Sequence, residues 1–317
     1  MSVQHPPTRR YRPPAPLGGR RRAASDSLPR RNVRAFLFMA PALLVLAVFV
    51  IWPMLSALRL SFTDASGFGQ EEWIGLENYT KVFTDPDILS AVTNTVLYTV
   101  MFTPTAVLAA LGLALLLNSP HMPFRSFFRT ALFVPFVVSF AVAAFAWSYL
   151  IDPQVGLLNY WLRGMGIQLG NVLEDPSLAM PAVAFVAVWK LFGFYFVIFL
   201  AGLQDIPPTL YEAARIDGAR PWARFRHITL PMLSNTMAFV LIFAMIAAFQ
   251  AFDQIYVMTG GGPYGNTQTV VMEIYESGFR KLDVGFASAL SYVLLLVTLA
   301  LSLLQFSFFG RKERDMS

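Results

Sequence analysis

The residues best placed to do chemistry lie in one short polar stretch, YEAARIDGARPWARFRHITLP, from Tyr211 to Pro231. It holds Glu212, Asp217, the pair Ala213–Ala214 and four arginines (Arg215, Arg220, Arg224, Arg226), and it lies between two long apolar runs. Elsewhere such residues are scarce. The chain has no Cys, so thiol nucleophiles, disulfides and zinc–thiolate sites are excluded. Its three histidines, His5, His121 and His227, are scattered, and neither a zincin helix, a phosphate-binding loop nor a nucleophile elbow occurs. No catalytic residue, no metal site and no cofactor of its own is expected, and nothing points to nucleic acid. Binding rather than catalysis is the chemistry these residues lead one to expect.

The elements that must position the polar stretch are apolar. The 317 residues are 56% hydrophobic and only 14% charged, against roughly a quarter charged in a soluble domain. The apolar residues fall in six runs, about 35–58, 93–117, 130–151, 178–203, 233–258 and 284–308, each near the ~20 residues that cross a bilayer as a helix. The fold class is therefore an all-α integral membrane protein with six transmembrane helices. Residues 1–34 carry nine arginines against one acid, Asp26, and many prolines, so a disordered tail is expected there, with residues 35–317 as the transmembrane domain. The first run is too long for a cleaved signal and reads as an anchor helix. With the tail inside, the inner segments 1–34, 118–129, 204–232 and 309–317 hold nine, two, four and three Arg/Lys. The outer ones hold Lys81, Arg163, Arg280 and Lys281, with Arg59 at a border. That asymmetry predicts both termini on the cytoplasmic side.

The segment 204–232 has its own grammar. Thr209 with Glu212 matches a capping box, which places a helix over 210–217. Gly218 suits a left-handed helix stop. Pro221 suits the first turn of a second helix reaching about Ile228, and Pro231 marks entry to the fifth span. Leu210, Ala213, Ala214 and Asp217 share one side of the first helix; Trp222, Phe225 and Ile228 form an apolar side of the second. On these grounds alone, an elbow lying on the headgroups is as good a reading as a docking element.

Polar groups inside spans should face a pore or a partner. Gln250, Asp253 and Gln254 are spaced i, i+3, i+4 in the fifth run, beside Phe249, Phe252 and Tyr256, and suggest a solute path. Asn94, Tyr98, Lys190 and Tyr195 are weaker candidates, and inter-helix hydrogen bonding is the competing role for all of them. The outer segment after the fifth run opens with Gly260, Gly261, Gly262 and Pro263, which stop a helix abruptly.

The spacing Glu212-Ala213-Ala214, then Gly218, then Ile228-x-Leu230-Pro231 resembles the EAA loop of permease subunits in binding-protein-dependent ABC importers. Further stretches resemble sugar permeases of the maltose and glycerol-3-phosphate type: 37–64, GLENYTKVF (75–83), AGLQDIPPTLYEAARIDGA (201–219) and FDQIYVMTGGGP (252–263). The resemblance runs from about residue 35 to 310 and leaves out only the Arg/Pro tail.

It implies the type I importer permease fold in a bacterial or archaeal plasma membrane, and a path for a sugar, polyol or glycerol phosphate. It implies as partners a sister permease, a cytoplasmic ABC ATPase dimer that carries the ATP and Mg, and an extracytoplasmic solute-binding protein. By the same resemblance Glu212, Ala213, Ala214, Asp217, Gly218, Ile228, Leu230 and Pro231 couple to the ATPase, and Gly260–Pro263 face the binding protein. The alternatives are an ion-coupled secondary transporter and a membrane-embedded enzyme. The first needs ionisable groups at mid-membrane, where only Lys190 and Asp253 lie within the runs; the second needs a catalytic constellation that is missing.

Overall fold

The computed structural model describes residues 38–67, 71–119, 122–168 and 170–314, with side chains as far as 308. The Arg/Pro-rich tail and His121 lie outside the described residues. The chain divides into two compact units, 1–54 and 55–317. The described part of the first is helical and belongs to α1 (Phe38–Leu60), whose most apolar window has no buried residue.

The second unit carries α2 (Glu77–Thr84), α3 (Pro86–Leu117), α4 (Arg125–Val137), α5 (Phe140–Ile151), α6 (Leu157–Gly164) and α7 (Ala179–Gln204). After these come α8 (Pro208–Ile216), α9 (Pro221–Met232), α10 (Ser234–Phe249) and α11 (Asp253–Met258). A further helix, α12, begins at Val270–Tyr275 and widens into a π-turn over Glu276–Arg280, and α13 is Val284–Arg314. Among the described residues the only extended pairings are two isolated bridges, Thr63 with Trp73 and Ser66 with Asp283. The all-α expectation holds.

Four helices, α1, α3, α7 and α13, are long and apolar enough to span alone; the bent pairs α4–α5 and α9–α10 bring the number to six. The expected third span, 130–151, is not continuous: α4 and α5 meet at 99°. Pro135, two residues from the end of α4, has no N–H and crowds the preceding turn. Ser139 then turns extended and its hydroxyl accepts from the N–H of Val142 at 3.3 Å, which starts a new helix. The fifth span, 233–258, is also interrupted. Gln250 and Phe252 leave helical geometry, and the freed carbonyl of Ala251 accepts from the Thr269 hydroxyl at 3.3 Å.

The core is the seam between α3 and α7. Ala106, Ala110 and Ala114 recur at four-residue spacing on α3, and Ala184 and Ala187 are buried on α7. Small residues at such spacing let two helix backbones approach and gain dispersion contact where apolar burial drives little association. Tyr98, Phe102, Tyr195, Phe196 and Phe199 fill the space around them. At one end, irregular segments are tied by side chains to backbone. Asn78 donates to the carbonyls of Ser61 (3.1 Å) and Thr63 (2.8 Å), and the N–H of Gly285 donates to Ala65 (2.9 Å). Buried Glu273 accepts from Gln268, Ser277 and Lys281 at 2.8–3.0 Å. Its hydrogen bond holds the Lys281 ammonium above the ordinary lysine range.

Gly193 marks a close approach of α7 to α4, because a Cβ there would run into the carbonyl oxygen of Leu132 and lie 3.2 Å from the Cα of Phe133. Helix propensity favours alanine over glycine by about 1 kcal/mol, whereas overpacking against backbone costs about 1–3 kcal/mol. We predict that Gly193→Ala lowers the melting temperature of the detergent-purified protein; an unchanged or raised midpoint would show that α4 yields freely.

Candidate functional site

The segment joining α7 to α10 folds as two helices around a glycine stop. α8 begins at Pro208 with Pro207 as its cap, so the Thr209 capping box does not form: Thr209 is already inside the first turn and caps nothing. The reason is local, since Pro208 fixes a helical φ and has no N–H needing a partner, so the helix starts there. At the other end Gly218 adopts φ +74°, with its N–H donating to Arg215 (3.0 Å) and that of Ala219 to Ala214 (2.8 Å). This is the paired closure expected of a left-handed stop.

α9 runs past the expected end at Ile228 to Met232, through a π-turn over Phe225–Thr229. Pro231 is thus inside its last turn rather than at the entry to the fifth span. Leu233 is the joint, where α10 departs at 68°.

The segment is fixed to the bundle. The Tyr211 hydroxyl lies 2.9 Å from that of buried Thr229, linking α8 to α9. Tyr211 and Ile228 pack against the main core cluster beside Leu203, Ile206 and Leu233. The predicted coupling residues therefore divide. Ile228, Leu230 and Pro231 are half-buried, Ile228 as an anchor, whereas Glu212, Ala213, Asp217 and Gly218 are exposed and Ala214 is half-buried between them. The Glu212 carboxylate makes no hydrogen bond or ion pair among the described residues. Sequence reasoning missed Ile216, which is 87% exposed in the last turn of α8; Leu210 and Trp222 of the same segment are exposed too. Its signal was a large apolar residue on a short polar helix, one turn after Glu212.

The predicted solute-path residues are not brought together. The break at 250–252 destroys the i, i+3, i+4 face assigned to Gln250, Asp253 and Gln254. Gln254 turns inward, 3% exposed, and its amide donates to the Tyr98 hydroxyl at 2.8 Å. Gln250 and Asp253 are exposed, and their side chains make no hydrogen bond among the described residues. Tyr256 is partly exposed. The Asn94 amide is occupied by the carbonyls of Gly265 (2.8 Å) and Gln268 (2.9 Å), so it tethers the segment after α11. Tyr195 is buried in the core. Lys190 is buried on α7, donates to the carbonyl of Phe136 at 3.2 Å and lies 4.5 Å over the Phe140 ring. It closes the broken end of α4 and steadies the start of α5.

Gly260, Gly261, Gly262 and Pro263 form a tight turn. The first two have positive φ, and a Cβ on Gly261 would meet the Gln268 amide oxygen. Thr267 holds the turn, donating to Gly262 at 2.6 Å and lying 2.7 Å from the Thr259 hydroxyl. Tyr264, 93% exposed, stands at the tip. Among the described residues no group of three His, Asp or Glu could hold a metal. The geometry leaves two exposed polar surfaces, one on α8 and one at the glycine turn, on a packed helical body.

Known proteins match this arrangement. The family model of the binding-protein-dependent transport system inner membrane component matches residues 84–316. A probable ABC transporter permease protein of Bacillus subtilis, YurN, is 39% identical over 290 residues, covering 90% of this chain and 99% of that protein. The sn-glycerol-3-phosphate transport system permease protein UgpA of Agrobacterium fabrum is 36% identical over 286 residues, 89% of this chain and 96% of its own. Among solved structures, a chain of a bacterial ABC transporter involved in alginate import superposes with a TM-score of 0.79 at 23% identity, covering 89% of this chain and 96% of that one. This chain belongs to the family of inner membrane components of binding-protein-dependent transport systems.

Proposed function

We propose that this ABC importer permease pairs with an unlike sister permease and receives a carbohydrate or glycerol phosphate from an extracytoplasmic binding protein. The proposal places both termini and the α8–α9 segment on the cytoplasmic side of a bacterial or archaeal inner membrane, where an ATPase dimer would supply ATP and Mg. One observation carries the coupling role: α8 presents an unpaired Glu212 and an outstanding Ile216 while Tyr211 and Ile228 bind the same segment to the core. A surface that merely rested on headgroups would have no need of Ala213, Ala214 and Gly218 around a bare carboxylate. Glu212 would pair with a basic group in a cleft of the ATPase, Ile216 would fill an apolar site there, and Gly218 would set the bend. The turn at Gly260–Pro263, with Tyr264 at its tip, faces the binding protein on the opposite side. Closure of the ATPases would then rock α7 and α10 through the anchored segment.

Loss of a charge-assisted hydrogen bond costs about 1.5–3 kcal/mol, so Glu212→Ala should weaken ATPase retention on size-exclusion chromatography about tenfold or more. Ile216→Asp should do the same without affecting insertion; normal retention and normal transport in both variants would remove the docking assignment. Gly218→Val forces a β-branched residue to positive φ at about 1–2 kcal/mol and should reduce coupled transport while the six-span body still inserts. In proteoliposomes holding the full complex, uptake should require ATP and survive an uncoupler. Uptake without ATP that collapses with the uncoupler would reject the importer reading for this chain.

A further inference from the structure

An apolar groove of about 190 Å³ lies between α2, α3, α10 and α13. Its floor is buried: Val82, Val270 and Leu290 are at most 5% exposed. Its mouth is open, with Phe83, Val92, Val96 and Val297 each 40% exposed or more. Thr95 is the one polar residue lining it, and its hydroxyl is already bonded to the carbonyl of Ala91 (2.8 Å) and the N–H of Val270 (3.0 Å). The groove therefore offers hydrocarbon contact alone.

A charged recess of about 150 Å³ adjoins it at the N-terminal ends of α3 and α13. The two meet on shared elements: Lys81 precedes Val82 on α2, Ile88 precedes Leu89 on α3, and Phe286 lies one turn before Leu290 on α13. Val82, Ile88, Phe286 and Leu290 belong to one core cluster. Lys81, Asp85, Asp87 and Asp283 line the recess with the pair Glu273–Lys281. Lys281 bonds Glu273 at 2.8 Å and attracts Asp87 through space, while Lys81 lies 3.7 Å from Glu77. Asp85 and Asp283 each use one oxygen to cap a helix, at 2.9 and 3.1 Å. Their second oxygens, and both of Asp87, accept no hydrogen bond among the described residues.

Depth distinguishes the two cavities. Trp73 is exposed at the same end, on the segment that Asn78 and the Ser66–Asp283 bridge tie to α2 and α13. Exposed tryptophan at the end of a membrane bundle marks the water boundary. From Asp283 to Val297, α13 rises about 21 Å at ~1.5 Å per residue, and one leaflet holds half of the ~30 Å hydrocarbon core. The recess thus lies at headgroup level and the groove in the acyl region of the same leaflet.

We propose that groove and recess together hold one phospholipid with a primary amine, phosphatidylethanolamine. Its acyl chain lies along α13, its ammonium among Asp85, Asp87 and Asp283, and its phosphate toward Lys81. The inference goes beyond the importer reading and needs only a membrane-spanning body. Charge complementarity selects the lipid. A primary ammonium has three N–H donors for carboxylates that still have oxygens to offer. A choline headgroup has none, and phosphatidylglycerol brings only negative charge to an acid-rich rim. A bare metal ion does not suit the recess, since no group of three acids among the described residues could hold one. A helix from another subunit would fit only by bringing a basic residue to the same rim.

The test is lipid retention. The protein, with the subunits that co-purify, is reconstituted into nanodiscs of equal parts phosphatidylethanolamine, phosphatidylglycerol and phosphatidylcholine, then exchanged into detergent for native mass spectrometry. Phosphatidylethanolamine should be retained several-fold over the other two. Asp87→Asn with Asp283→Asn, in which asparagine still caps α13, should bring the three lipids to near parity. Val96→Trp, which fills the groove, should lower retention of all three; if that chain fails to insert, the aspartate variants decide alone. Equal retention by the unsubstituted protein, or a preference unchanged in the double variant, would overturn the assignment. So would no retained lipid at all, which would give the groove to a partner helix.

Discussion

A backbone carbonyl that loses its helical partner at membrane depth must find another inside the protein, and this fold is organised around two places where that happens. Hydrocarbon offers no hydrogen bond, so an interrupted helix survives only where protein closes the gap. Between α4 and α5 the closing groups are the Lys190 ammonium on Phe136 and the Ser139 hydroxyl on Val142. Between α10 and α11 the Thr269 hydroxyl serves, bonding the carbonyl of Ala251. Each closure draws on a residue distant in sequence, so the breaks also fix how α5, α7, α11 and α12 pack. The bond from Lys190 on α7 closes the turn at Val138–Ser139, where α5 leaves α4 at 99°, and α11 brings Tyr256 against Tyr275 of α12.

The same economy links the two ends of the body. α10 begins just after Leu233, the joint with the anchored α8–α9 segment, and ends at the break that leaves Gln250 and Asp253 exposed. α3 lies against both α7 and α10. Its N-terminal third carries Asn94 and Thr95, which hold the segment after α11 through Gly265, Gln268 and Val270. Contacts run without a gap from Tyr211 to Thr229, along α10, and past the break from Gln254 to Tyr98 and back into α3. Rigid elements with discrete junctions are what a rocking transition requires.

Much of this was legible in the sequence because hydropathy and loop chemistry act locally. The seventh helix lies within a residue of its expected bounds, and Gly218 stops α8 as its type and place demanded. What was hidden was non-local or pre-empted. Averaging apolar character over twenty residues conceals a break, and Pro135 with Ser139 signals one only when read as a stop and a cap in succession. The interruption at 250–252 contains neither Pro nor Gly; it depends on Thr269, eighteen residues on, and on the inward pull of Tyr98 on Gln254. The Thr209–Glu212 pattern was real as a pattern, but Pro208 had already begun the helix. With Glu212 left free of a reciprocal cap, its carboxylate is available to something outside the chain.

That distinction sorts the remaining polar residues better than their position along a span does. Asn94, Tyr98, Gln254 and Lys190 look like solute ligands in a hydropathy plot, yet each already has a protein partner that would be orphaned by its removal. A buried donor or acceptor left alone costs more than its bond contributes, so these residues are committed to architecture. Among the described residues the side chains of Gln250 and Glu212 make no hydrogen bond or ion pair, and Asp253 has only a through-space attraction to Lys190; such exposure is tolerable in a membrane protein only where water, solute or another subunit supplies a partner. Gln250 and Asp253 flank the break between α10 and α11, and Glu212 lies on α8.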